Sequence, residues 1–131
     1  MRNQNAYLTD EKIELTLPVN SAYLSTARLT ASSISNRMGF NIEDIEDIKA
    51  AVSEACVFFI NQCSTNGAKK FHLEFNILRD YLKVVLKANV KDVDKYNESE
   101  LGIKMIHALM DSLNIHNESE NFSIVMTKMK K

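Results

Sequence analysis

The chain has 131 residues, of which 45% are hydrophobic and 25% are charged, and its formal net charge is −1. This length suits one domain with a single core, and the composition is that of an ordinary globular protein. The near-neutral charge excludes a broadly basic nucleic-acid-binding surface, and the end of the chain, with Lys128, Lys130 and Lys131, predicts a solvated basic tail.

Neither a membrane span nor a secretory route is indicated by the sequence. No run approaches the ~18 apolar residues of a transmembrane helix, and the polar start MRNQNAYLTDEKIE lacks the apolar centre of a signal peptide. We therefore expect a cytoplasmic protein. Cys56 and Cys63 lie on one predicted helix, about 10 Å apart along its axis, which is too far for a disulfide and is no zinc signature. Both cysteines are predicted to be core residues.

The first half of the chain predicts a strand followed by two helices. Residues 11–17 alternate between polar and apolar side chains, which is typical of a half-buried strand, and Pro18 ends it. Residues 21–38 carry apolar side chains at helical spacing, which predicts a helix that ends at Gly39. The second helix follows its predicted N-cap, Asn41. Its expected buried stripe consists of Ile42, Ile45, Ile48, Val52, Ala55 and Phe59.

The second half predicts two hairpins around a third helix. Residues 70–77 and 81–88 alternate as strands with one covered face, and the second of them is expected to be central. Residues 101–113 have a helical apolar period, and residues 113–118 and 122–129 predict the last strands. The order β-α-α-β-β-α-β-β predicts one α+β domain over residues 1–131: a two-layer sandwich with a mixed β-sheet and helices on one face.

Few residues in the sequence suggest chemistry. There is no His-x-x-x-His pair, no Gly-x-Ser-x-Gly and no Gly-rich phosphate loop, so no metal site is predicted. The exception is Glu54, which lies beside the apolar stripe of the second helix in SEACVFFINQ. A carboxylate at the rim of a core can be a general base, or it can simply pair with a lysine. The residues alone leave both interpretations open.

Two long stretches resemble the bacterial anti-sigma factor serine-protein kinases of the GHKL, or histidine-kinase-like, ATPase superfamily. They are LPVNSAYLSTARLTASSISNRMGFNIEDIEDIKAAVSEAC and ELGIKMIHALMDSLNIHNESENFSIVMTKM, which together cover most of the chain. The resemblance implies a GHKL/Bergerat-like fold with a pocket for ATP and magnesium. It also implies a homodimer whose partners are a sigma factor and an anti-anti-sigma antagonist protein.

The resemblance assigns roles to residues of the second helix and the strand that follows the hairpin turn. Glu54 matches the family's general base for phosphoryl transfer. Phe58 stands where the family has the asparagine that holds magnesium, a cation that requires oxygen ligands. Ala88 replaces the aspartate that reads adenine, and Val90 and Asp92 replace the glycines that let the backbone approach the nucleotide.

Further matches lie in the lid, the third helix and the first helix. The family's long lid is reduced to KYNESE. In the family's second glycine box, Glu100 replaces one glycine. Gly102 matches the other glycine, which the resemblance implies is a cofactor-binding position. Arg28, in TARLT, matches a first-helix arginine that contacts both the sigma factor and the antagonist.

These substitutions together predict a regulator that acts by protein–protein contact. Phosphoryl transfer depends on positioning and metal electrostatics, so the combined changes predict that Glu54 is vestigial and that no cofactor is bound. One alternative is an active ATP-dependent serine/threonine protein kinase with a divergent pocket. Another is a GHKL relic that serves as a structural subunit of a different assembly.

Overall fold

A computed structural model describes residues 10–90, 101–118 and 120–131. The strands are β1 (Glu11–Pro18), β2 (Lys70–Ile77), β3 (Tyr81–Asn89), β4 (Ser112–Glu118) and β5 (Asn121–Met129). The helices are α1 (Leu24–Met38), α2 (Ile42–Thr65) and α3 (Leu101–Leu109), and a short 3-10 turn at Ser21–Tyr23 precedes α1. The order of strands and helices is the predicted one.

The five strands form one sheet in the order β1-β2-β3-β5-β4, with β3 at its centre as predicted. Every pairing among the described strands is antiparallel, so the prediction of a mixed sheet was wrong. The connections explain the difference. Two helices separate β1 from β2 and bring the chain back antiparallel. The crossover through α3 makes β4 parallel to β3, but β5 lies between these two strands and pairs antiparallel with both.

All three helices cover the same face of the sheet, which confirms the two-layer α+β prediction. Alternate side chains of three strands point to the helices and are buried: Phe71, Leu73, Phe75, Leu82, Val84, Leu86, Phe122, Ile124 and Met126. The opposite face is mostly polar, apart from the paired Val85 and Val125. On it, Glu74 accepts a hydrogen bond from Lys87 at 2.7 Å and lies 3.9 Å from Lys12. The Lys87 hydrogen bond is the main reason that the pKa of Glu74 lies below its usual range.

α2 lies over the centre of the sheet and carries most of the helical core. It begins as predicted, because the Asn41 side chain accepts a hydrogen bond from the Asp44 N–H at 2.7 Å. Within the predicted stripe, Ile45 is only partly buried and Ile42 is 80% exposed. Each residue turns the helix by about 100°, which places Ile42 roughly a quarter-turn from the centre of the stripe. The buried members of the stripe are Ile48, Val52, Ala55 and Phe59.

Both cysteines are buried in the core, as predicted. Burial raises the pKa of Cys56 to about 12 and that of Cys63 to about 11, so neither thiol ionises readily near neutral pH. Among the helices that the structure describes, none combines the length and the apolar character needed to cross a bilayer.

Lys128 does not belong to a solvated tail, and this part of the prediction was wrong. The two-residue period of β5 turns its side chain towards the helices, where its ammonium lies 3.5 Å from Asp47 and 3.8 Å from the buried Asp44. The same ammonium donates a hydrogen bond to the Leu109 carbonyl in the last turn of α3. Lys128 therefore connects β5, the start of α2 and the end of α3.

Replacing Lys128 with methionine should lower the free energy of unfolding by about 3 kcal/mol, since it leaves the Asp44 carboxylate buried without its cation. Lys130→Met is the matched control. Lys130 is exposed and donates to the Met38 carbonyl at the end of α1, so its loss should cost less than about 1 kcal/mol. Urea denaturation of both variants measures the difference. Equal losses would contradict the buried role of Lys128.

Candidate functional site

Glu54 and Phe58 lie one turn apart on α2, and their environments differ. Glu54 is half-buried, whereas Phe58 is only 8% exposed. Residues four apart share one side of a helix, so the predicted pair does lie on one side of α2. One member presents a carboxylate near the surface, and the other contributes an apolar ring to the core.

Glu54 and Gly102 are brought together although they are far apart in sequence. The Glu54 Oε1 atom lies 3.1 Å from the point that a Cβ on Gly102 would occupy. Gly102 is the second residue of α3, and a carboxylate near a helix N-terminus interacts favourably with the helix dipole. A side chain at position 102 would require the Glu54 carboxylate to shift by a few tenths of an ångström. The glycine therefore permits a close approach between α2 and α3.

Phe58 belongs to an aromatic cluster that joins α2 to the sheet. Its ring centroid is 6.2 Å from that of Phe122 on β5, with the ring planes tilted by 45°. Phe59 stacks on Phe122 with centroids 5.0 Å apart and also contacts Phe71 on β2, at 5.6 Å. These four residues are called the aromatic cluster below. Their separations are those of favourable aromatic pairs.

The strand positions that matched the family's adenine site adjoin this cluster. Ala88 is 4% exposed and lies directly opposite Phe122 in the pairing of β3 with β5. Val90, which is 3% exposed, donates its backbone N–H to the Glu120 carbonyl at 2.9 Å. The side chains of Phe58, Ala88 and Val90 contain no oxygen atom. Asp92, Glu100 and the KYNESE segment lie outside the described residues.

The described part of the chain holds no group of three or more histidine, cysteine, aspartate or glutamate side chains that could bind a metal ion. Asn61, one turn beyond Phe58, is exposed, and its backbone carbonyl accepts a hydrogen bond from the Thr65 hydroxyl. Within the described residues, therefore, no cluster of the usual ligand residues replaces the family's magnesium ligand.

Arg28 lies on the exposed side of α1, away from the side that packs into the core. Sequence reasoning missed its neighbour Leu29, which is 68% exposed. It also missed a charge signal that the sequence does contain: between Glu14 and Glu43 the only charged residues are Arg28 and Arg37. α1 therefore presents a positively charged surface with one exposed leucine, separate from the Glu54–Gly102 contact.

The Glu54–Gly102 contact predicts an interaction between two mutations. Gly102→Ala should stabilise α3 by up to about 1 kcal/mol through helix propensity, but its methyl group would crowd the Glu54 carboxylate. We expect little net gain in the wild-type chain and the full gain in a Glu54→Ala background. Thermal or urea unfolding of the four variants of this cycle gives the coupling. Equal effects of Gly102→Ala in both backgrounds would contradict the contact.

Comparisons with known proteins identify the family to which the chain belongs. Residues 17–128 match the model of the histidine kinase-like ATPase domain. Serine-protein kinase RsbW of Bacillus cereus strain B4264 is 32% identical over 136 aligned positions, covering 90% of this chain and 84% of that protein. RsbW of Bacillus mycoides strain KBAB4 has the same identity and coverage.

Two solved structures share the fold. The RsbU and RsbW domains of Rv1364c from Mycobacterium tuberculosis superpose with a TM-score of 0.68 at 16% identity, over 92% of this chain and 33% of that one. The SiaB–SiaC complex from Pseudomonas aeruginosa gives 0.66 at 9% identity, over 88% of both chains. The family model spans residues 17–128, and RsbW is 32% identical to the chain. The chain therefore belongs to the histidine kinase-like ATPase family.

Proposed function

We propose that the chain is an anti-sigma-factor-like regulator that acts by binding a sigma factor, an anti-anti-sigma antagonist or both, without requiring nucleotide. The similarity to RsbW kinases supports the regulatory class. The proposal that nucleotide is not required rests on one observation: Phe58 is buried against Phe122.

The Phe58 position does not fit a metal ligand. Magnesium requires oxygen ligands in near-octahedral geometry, and a phenyl ring provides none. Turning the ring outwards would also expose an aromatic side chain whose burial is worth roughly 1.5–3 kcal/mol. The aromatic cluster therefore favours the conformation in which Phe58 stays in the core.

The Ala88 position does not fit an adenine reader. Its methyl group cannot accept a hydrogen bond from the adenine amino group, and an unpaired polar group of that kind costs ~1–3 kcal/mol. Val90 adds a side chain at a position where the resemblance implies glycine, so the backbone is less accessible there. Both changes weaken nucleotide recognition independently of the metal.

The start of α3 is already in contact with an anion of the protein itself. A helix N-terminus can receive phosphate, but the Glu54 carboxylate lies against Gly102 in this first turn and would repel a phosphate group. Because the residues at these positions do not fit a magnesium nucleotide, we derive no phosphoryl-transfer step. Glu54 is proposed to be vestigial as a base and to retain a packing role beside α3.

The second candidate function is an ATP-dependent serine/threonine kinase with a divergent pocket. The observation that favours it is Glu54 itself, which keeps the general-base position and stays half-exposed on α2. A role as a structural subunit of another assembly is the third candidate, and it predicts no binding to either kind of regulatory partner. We further propose that the protein acts in the cytoplasm as a homodimer, and that Arg28 contacts the partner.

ATP binding separates the first two candidates. Isothermal calorimetry with micromolar ATP and magnesium should give no saturable heat, and partner affinity should be the same with and without nucleotide. Glu54→Gln, the matched control for the general base, should leave partner binding unchanged. Micromolar ATP affinity, or transfer of phosphate to an antagonist serine that Glu54→Gln abolishes, would establish the kinase instead.

The partner surface is tested by reversing one charge on α1. Arg28→Glu should weaken binding to a sigma factor or antagonist by about 2 kcal/mol, or roughly 30-fold, if Arg28 is a hot spot. Lys104→Glu introduces the same charge change at an exposed position of α3 and should alter affinity less than threefold. Titrations of both variants, with circular dichroism to verify folding, provide the measurement. Equal effects would argue against a role for α1.

A further inference from the structure

A groove separates α1 from the start of β1 on the helix side of the sheet. α1 packs against α2 and leaves a cavity of about 430 Å³ between itself and the strand. Ile13 points towards the helices and is nevertheless 40% exposed, because this cavity lies beside it. Ligand pockets generally occupy about 300–1,000 Å³, so the groove has room for a small ligand.

The groove has an apolar lining on both sides. Ile13 and Ile77 contribute to it from β1 and β2, and Ile34 and Met38 contribute to it from α1. Ile34 and Met38 are four residues apart and therefore lie on the same side of the helix. An aliphatic group placed between these side chains would be removed from water.

The helix side of the groove also carries two hydrogen-bond donors. Ser33 and Arg37 line it, both are exposed, and their spacing of four residues places them on one side of α1. None of the ion pairs between described residues includes Arg37. A guanidinium with a hydroxyl group beside it is suited to bind a carboxylate.

The strand side of the groove carries a carboxylate. Glu11 lines the groove, and the alternation of β1 turns its side chain to the same face as that of Ile13. Within the described part of the chain, Glu11 is in no ion pair either. Lys12 also borders the groove, but its ammonium is directed to the opposite face, 3.9 Å from Glu74. Glu11 is therefore available to accept hydrogen bonds from an ammonium group.

Opposite charges on the two sides of an apolar groove define the ligand that fits it. Glu11 would repel a simple anion, and Arg37 would repel a simple cation. A zwitterion satisfies both residues, with its carboxylate at Arg37 and Ser33 and its ammonium at Glu11. An α-amino acid carries these two groups together with one side chain, which would lie against the apolar lining.

We propose that the groove between β1 and α1 binds a free α-amino acid with an aliphatic side chain, such as leucine. This inference goes beyond the proposed function. It requires neither the Glu54–Gly102 contact nor the exposed surface around Arg28.

Nuclear magnetic resonance of isoleucine methyl groups tests the site. Titration with L-leucine should shift the signals of Ile13, Ile34 and Ile77 saturably at millimolar concentrations. Ile106 on α3 and Ile124 on β5, each 1% exposed, are internal controls whose signals should not shift. The absence of a saturable shift at the three groove isoleucines would overturn the proposal.

Two analogues of leucine test the charges of the ligand. Isocaproate lacks the ammonium group, and isoamylamine lacks the carboxylate. Each should bind about three- to fivefold more weakly than leucine, because an exposed ion pair contributes only modestly to affinity. Equal affinity for all three molecules would mean that the groove selects only an aliphatic group, which contradicts the assignment of an amino acid.

Substitutions of the two charged residues test their pairing with the ligand. Glu11→Gln should weaken the binding of leucine and isoamylamine but not that of isocaproate. Arg37→Gln should weaken the binding of leucine and isocaproate but not that of isoamylamine. The matched controls are Glu14→Gln, on the opposite face of the sheet, and Arg28→Gln, about 13 Å away along α1. Both controls should bind all three molecules as the wild type does.

The pattern across ligands decides the outcome, with circular dichroism to verify that each variant folds. A uniform loss for all three molecules in Glu11→Gln or Arg37→Gln would overturn the pairing, and so would equal losses in the control variants. Binding of a sigma factor or antagonist is measured separately. A chain that binds such a partner and no leucine overturns this inference alone.

Discussion

The packing of α2 against β5 through Phe122 is the contact on which the rest of the structure depends. Phe59 stacks on Phe122 and reaches Phe71 on β2, so one aromatic cluster joins the central helix to strands on both sides of β3. Phe58, the residue before Phe59 on α2, also contacts Phe122 and extends the cluster. Each buried ring removes a large apolar area from water, and the paired rings add a smaller, directional term. The orientation of α2, and with it the position of Glu54, follows from this cluster.

The cluster also connects stability with the proposed loss of nucleotide binding. A magnesium ligand at position 58 must present a polar atom to a solvated cation, whereas Phe58 is 8% exposed and lies against Phe122. The same substitution therefore adds apolar burial and removes a ligand. Ala88, opposite Phe122, has the same double effect on the adenine position. In the proposed function, which needs no nucleotide, this part of the fold serves as core, and contacts with other proteins depend on surfaces elsewhere, such as α1.

α3 is held to α2 at both ends, by charges of opposite sign. At its start the Glu54 carboxylate lies against Gly102, and at its end the Lys128 ammonium binds the Leu109 carbonyl close to Asp47 of α2. An anion at the N-terminus and a cation at the C-terminus both interact favourably with the helix dipole. These contacts compensate for the short length of α3, since a helix of nine residues is marginal without tertiary support.

The sequence by itself determined the order of strands and helices, the N-cap at Asn41, the covered face of the β2–β3 hairpin and the family, since local periodicity, capping and motifs carry that information. It did not determine the antiparallel insertion of β5 between β3 and β4, the exposure of Ile42 or the burial of Lys128. Strand order depends on which strand edges meet after the chain crosses over the sheet. In the sequence, Lys128 looks like a solvated lysine, and only the packing of β5 against α2 brings it next to the Asp44 and Asp47 carboxylates. The Glu54–Gly102 contact was equally inaccessible, because each residue matched its own motif and only the packing of α2 against α3 decided that the carboxylate and the glycine lie side by side.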